Sequence, residues 1–167
     1  GQAYEWMDIL PGNLDKKELA TAGYREKDFR NRPMDMTRLI QLQQRLLTNF
    51  ENQGHPFATV TLDSVQVEGN RFRGQLMVNR GIPYKIDSIR VFGKLKIRKY
   101  FLHQYLNIPP GSLYSKEKLM QVDKRMQELQ FLTPLQPSDL TMLGSGSVLN
   151  LYVKPRRSSR ADFPFGF

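Results

Sequence analysis

The chain contains no cysteine, which excludes disulfide staples, thiolate zinc sites and a cysteine nucleophile while leaving the redox compartment open. Histidine is almost as scarce. His55 and His103 are the only two, they lie far apart in sequence, and neither falls in a metal-ligand or triad pattern. Apolar runs extend only a few residues, far short of the roughly 20 that cross a bilayer as a helix. No basic segment followed by an apolar run opens the chain, so a secretory signal is expected to have been removed or to lie upstream. Gly144-Ser145-Gly146-Ser147 lacks the lysine and following helix of a phosphate loop and reads as a hairpin turn. The carboxylates Asp8, Asp15, Glu18, Asp28 and Asp123 are scattered among basic residues, as on solvated faces. Nothing in the pattern proposes catalysis, and no cofactor or metal is expected.

What is present suffices for a folded core. Of 167 residues 40% are hydrophobic, ten of them Phe, enough for one medium domain or two small ones. Lys and Arg total 25 against 16 acidic residues, a net charge of +9. That balance favours anionic partners, whether lipid head groups, nucleic acid or acidic protein segments.

Periodicity divides the chain into elements. Leu39, Leu42, Leu46 and Phe50 share one stripe at helical spacing, predicting a helix over 36–50 that Pro33 and Asp35 open and Gly54 closes. A hairpin follows, Ala58 to Val67 and Phe72 to Asn79, turning at Gly69-Asn70. In its first strand the apolar set shifts from Val60 and Leu62 to Val65 and Val67, predicting a bulge near Asp63-Ser64. A strand is expected over Tyr84 to Phe92 and a helix over Ile97 to Leu106 that Pro109-Pro110-Gly111 stops. A second helix is capped by Ser115, carries Leu119, Val122, Met126 and Leu129, and is blocked by Pro134. Leu135 to Leu143 and Val148 to Val153 form a last hairpin. The methionines, Met36, Met120 and Met126 among them, fall on apolar stripes and read as core filling.

The second half thus reads strand, helix, helix, strand, strand. The first half follows the same order if Tyr4 to Ile9 is a strand and Leu14 to Ala22 a helix. Gly12-Asn13-Leu14 recurs as Gly93-Lys94-Leu95, and the long helices recur at a period of roughly 75 to 80 residues, the mark of an internal repeat. Gly81-Ile82-Pro83 is then a linker short enough to couple the two copies in orientation.

The string Gly81-Ile-Pro-Tyr-Lys-Ile-Asp-Ser-Ile-Arg-Val-Phe-Gly93, followed by Tyr105-Leu-Asn-Ile-Pro-Pro-Gly-Ser-Leu-Tyr-Ser115, resembles the opening of a polypeptide-transport-associated (POTRA) domain. Asn52-Gln-Gly-His-Pro-Phe-Ala-Thr-Val60 is similar to the segment that leads from helix to second strand in that family. Gln130-Phe131-Leu132 departs from it, since a glycine and an aromatic are usual there. The tail from Arg156 to Phe167 resembles the link between the last POTRA domain and a membrane barrel in BamA/TamA-like outer-membrane assembly and translocation proteins.

The resemblance implies an α+β fold of two β-α-α-β-β modules, each a three-stranded mixed sheet with two helices on one face, at 1–80 and 81–155, with 156–167 leading to an outer-membrane β-barrel. It implies a periplasmic arm that binds unfolded outer-membrane or secreted polypeptides, accessory lipoproteins or other periplasmic proteins. Strand addition is the expected mode, because an open sheet edge pairs with any extended backbone. The edge candidates are Ala58, Thr59, Val60, Thr61, Leu62 and Asp63 in the first module, and Leu135, Gln136, Leu140 and Thr141 in the second. Pro137 suits an edge strand and blunts pairing locally, so the first edge is expected to be the more open. The clusters Lys94, Lys96, Arg98, Lys99 and Arg156, Arg157, Arg160 are candidates for contact with an anionic membrane or partner. Two other readings stand beside this one: a passive spacer, and, ranked below it, a basic nucleic-acid-binding module. The basic residues are dispersed and no strand carries an RNA-binding signature, so nucleic acid is not expected as a partner.

Overall fold

A computed structural model describes residues 4–157 and divides the chain into two units, Gly1–Pro83 and Tyr84–Phe167. In the first unit β1 (Trp6–Leu10) leads through Gly12 into α1 (Lys16–Thr21). Asp15 and Glu18 start that helix with a reciprocal capping box, each side chain accepting from the other residue's backbone N–H. Two elements absent from the sequence expectation follow, the single-turn α2 (Glu26–Phe29) and the two-residue β2 (Arg32–Pro33). Asp35 then caps α3 (Met36–Glu51), whose Leu39, Leu42, Leu46 and Phe50 are all buried. The hairpin β3 (Thr59–Glu68) and β4 (Arg71–Asn79) completes a sheet in the order β2-β1-β4-β3. The added β2 makes this sheet four-stranded rather than three-stranded. The bulge is present: the register shifts between Asp63 and Gln66, with Ser64 at φ 52.

The second unit begins with two short strands, β5 (Lys85–Ile86) and β6 (Ser88–Phe92), where one was expected. Ile86 and Ile89 are both fully buried although three residues apart, and a continuous strand would turn them to opposite faces. The chain therefore breaks at Asp87. There follow α4 (Lys99–Tyr105), β7 (Ser112–Leu113), which pairs with β5, α5 (Lys116–Gln127) under a Ser115 cap, β8 (Leu132–Leu143) and β9 (Gly146–Pro155). The main sheet has the order β6-β9-β8, with β6 parallel and β8 antiparallel to the central strand.

Several expectations are corrected. Pro134 does not stop α5, which ends at Gln127; it lies inside β8, where an edge strand tolerates a missing N–H. The last hairpin turns on Gly144-Ser145 alone, since Gly146 and Ser147 already belong to β9. Among the methionines read as core, Met7 and Met126 are buried, while Met36 and Met120 are 54% and 73% exposed. Val65 and Val67 are also half exposed.

Each unit has its own core. In the first, Met7, Ile9, Leu76 and Val78 of the sheet meet Leu42, Leu46 and Phe50 of α3. In the second, Ile89, Leu149, Leu151 and Val153 meet Leu102, Val122 and Met126. The two units also share one backbone device. A Cβ on Gly12 would overlap the carbonyl oxygen of Leu76, and one on Gly93 that of Val153. Both glycines have positive φ and sit where the chain turns from the first strand over the central strand, so no other side chain fits. This repeated contact accounts for the glycine of the Gly-x-Leu recurrence.

A candidate edge-strand interface

In both main sheets the strand that follows the long helix lies at an edge: β3 flanks β4, and β8 flanks β9. Which backbone groups face outward follows from the hydrogen bonds of the central strand. Asn13 donates to the Val78 carbonyl and accepts from its N–H, both at 2.8 Å. The N–H and C=O of one strand residue point to the same side, so those of Val78 point away from β3. Its partner Val60 is then a non-hydrogen-bonded pair, and the N–H and C=O of Val60 and Leu62 face the open edge. Thr59, Thr61 and Asp63 spend theirs on β4. Ala58 is buried ahead of the strand and donates to the His55 carbonyl at 3.3 Å.

The same reasoning orders the second edge. Ser147 C=O accepts from Asp87 N–H at 2.8 Å, so odd-numbered residues of β9 face β6, and Val148, Asn150 and Tyr152 face β8. Their partners Thr141, Asp139 and Gln136 are satisfied. Leu140, Met142 and Ser138 face outward. Leu135, with a 56% exposed side chain, lies inside the first of two register irregularities, Pro134/Gln136 and Gln136/Asp139; Pro134 borders the first and Pro137 falls within the second.

A helix side chain clips each edge. Gln43 of α3 donates to the outward carbonyl of Val60 at 3.0 Å, and Asp123 of α5 accepts from the outward N–H of Ser138 at 2.8 Å. The clips leave different openings. In the first unit no proline interrupts β3, and the stripe that bears Gln43 also carries Met36 and Ile40, 54% and 50% exposed. These residues continue the Gln43 stripe as exposed apolar surface. In the second, Asp123, Gln127, Pro134, Leu135, Gln136 and Pro137 line a groove of about 350 Å³, yet the two prolines offer no N–H there.

The remaining candidates are placed as follows. Lys94, Lys96, Arg98 and Lys99 are exposed, and none is in an ion pair among the described residues. Arg156 and Arg157 are exposed at the end of β9, whereas Arg160 lies outside the described residues. The His55 ring meets Phe50 edge-on at 6.4 Å between centroids. His103 is buried, its Nδ1 donating to the Ile108 carbonyl at 2.6 Å.

The scattered carboxylates have specific work. Asp8 bridges Arg30 and Arg73, Glu18 holds Arg80 through both oxygens at 2.6 Å, and Asp28 faces Arg25 and Arg38. The Asp8 carboxylate, by its hydrogen bond, raises the pKa of Arg30. Burial pushes the Tyr24 phenol up to about 12, while its OH donates to the Ile9 carbonyl at 2.8 Å. Among the described residues no group of His, Asp and Glu could hold a metal ion, and no helix is long and apolar enough to cross a membrane. Sequence reasoning missed Asn13, Gln43 and Asp123. Only Asn13 left a signal, in the recurrence of Gly12-Asn13-Leu14 as Gly93-Lys94-Leu95.

No family model matches the sequence, and no curated protein matches it. Solved structures do. Over 93% of its length the chain superposes on the crystal structure of BamA from Haemophilus ducreyi lacking POTRA domains 1–3, with a TM-score of 0.63 and 14% identity. Over 89% it superposes on Haemophilus influenzae BamA POTRA3–5, with a TM-score of 0.56 and 16% identity. The chain spans 30% of the first structure and 65% of the second. The fold is therefore the α+β fold of POTRA domains.

Proposed function

We propose that this chain is a periplasmic docking arm of an outer-membrane protein assembly or transport factor, and that it takes extended client segments by adding them as strands to β3. The observation that carries this reading is the outward row of Val60 and Leu62 backbone groups, uninterrupted by proline, with Met36 and Ile40 exposed on the stripe that bears Gln43. An extended backbone pairs with such a row with little demand on its sequence, while alternate side chains are free to meet that apolar surface. The likeness to BamA POTRA structures supports the setting, and on this reading a membrane barrel follows residue 167. β8 is a secondary site, restricted to Leu140 and Met142.

Backbone-amide NMR titration with an alternating β-strand peptide tests this. The amides of Val60 and Leu62 are expected to shift first, with slowed hydrogen exchange, and those of Leu135, Gln136 and Ser138 to stay still. Silence along β3 under conditions where the chain is folded would leave a passive spacer as the better account.

A further inference from the structure

The strand order of the second unit gathers three segments at one end of its sheet. β6 and β9 run parallel and β8 antiparallel to them, so the segment after β6, the segment before β8 and the end of β9 all meet there. Residues 94–99 carry four cations, 124–131 two and 152–157 three, and Glu128 is the one carboxylate among the three segments. The chain leaves the unit at this same end, where Arg156 N–H donates to the Phe131 carbonyl at 3.1 Å.

Beside the charges stands an aromatic cluster that the core absorbs only through Tyr105. Phe101 stacks on Tyr105 at 5.6 Å and meets Phe131 at 6.3 Å, and Arg125 lies over Tyr105 at 4.8 Å. Phe101 and Phe131 remain 40% and 46% exposed, and the neighbouring Tyr100 71%. Burying Leu95 and Ile97 against the core turns the alternating Lys94, Lys96 and Arg98 outward together. Exposed apolar surface of this kind, rimmed by cations, marks an interaction face. Unpaired Lys and Arg beside exposed Tyr and Phe is the combination suited to a lipid head-group layer, the cations meeting phosphates and the rings the acyl boundary.

We infer that this end of the second unit docks on an anionic phospholipid bilayer. The inference stands on charge complementarity and exposed rings, independently of strand addition at β3. Flotation of the full 167-residue chain with phosphatidylcholine vesicles, with and without phosphatidylglycerol, tests it. Binding is expected only with phosphatidylglycerol and is expected to weaken as salt screens it. Replacing Lys94, Lys96, Arg98 and Lys99 by Gln together is expected to lower affinity about fivefold per removed cation. The same number of changes at Lys16, Lys17, Arg25 and Lys27 of the first unit leaves binding unchanged, which separates a site from net charge. Phe131→Ser is expected to remove the part of the binding that survives high salt. Equal binding to neutral vesicles, equal losses from both lysine and arginine sets, or equally tight, equally salt-sensitive retention by duplex DNA would overturn the inference.

Discussion

The two edges of this protein solve one problem in opposite ways. Both β3 and β8 follow a long helix, lie outermost in their sheets and are clipped by one side chain from that helix. In the first unit the clip is a donor, Gln43, which occupies a carbonyl; in the second it is an acceptor, Asp123, which occupies an N–H. β3 keeps its N–H groups and breaks its register once, at Ser64. β8 gives up two N–H groups to proline and breaks its register twice. Corresponding position in the two sheets does not make equivalent edges. Two prolines and the polarity of one helix side chain are enough to leave one edge open and blunt the other.

The largest expected effect tests whether the units are built alike beneath their edges. Gly12→Ala and Gly93→Ala should each destabilise its own unit by about 3 kcal/mol or more, since a methyl group would strike a central-strand carbonyl and φ is positive. Chemical denaturation read by amide signals of each unit checks this. A tolerant site would break the comparison at its root. Next, Asn13→Ala should cost about 2 kcal/mol in the first unit by leaving the N–H and C=O of Val78 unpaired. Lys94→Ala at the matching place should cost almost nothing.

Alkaline pH probes the first unit more gently. Tyr24 has a folded pKa near 12 against an ordinary value of 10.0, so above pH 10 the unfolded chain loses a proton that the folded one keeps. The first unit therefore loses stability as pH rises from about 10 to about 12, and Tyr24→Phe should flatten that slope in a pH series of melts. The smallest effects sharpen the edges themselves. Gln43→Ala frees the Val60 carbonyl and should raise strand-peptide affinity about threefold. Asp123→Ala, which frees only the Ser138 N–H immediately after Pro137, should change it little, as isothermal titration would show.

Much of this architecture was legible in the sequence. The α3 stripe, its Asp35 start, the Ser115 cap and the bulge at Asp63-Ser64 are local, set by side-chain period and capping chemistry within a few residues. What escaped was decided at a distance. Met36 and Met120 have helical spacing to the apolar stripes, yet only the tertiary arrangement shows that those stripe positions look past the sheet. Pro134 reads as a helix stop until β8 is seen pairing at an edge, and the break between β5 and β6 follows from two core positions three residues apart.

The candidate interface divides along the same line. Sequence by itself determined that β3 and β8 are strands and where glycine, proline and charge fall. Only the fold decided which backbone groups of those strands face outward, because that parity depends on the partner strand and on Asn13, 65 residues away from Val78. Only the fold brought Gln43 to Val60, Asp123 to Ser138, and three separate basic segments to one end of the second sheet. Local chemistry selects the elements, while hydrogen-bond parity and side-chain juxtaposition are properties of pairing across the chain.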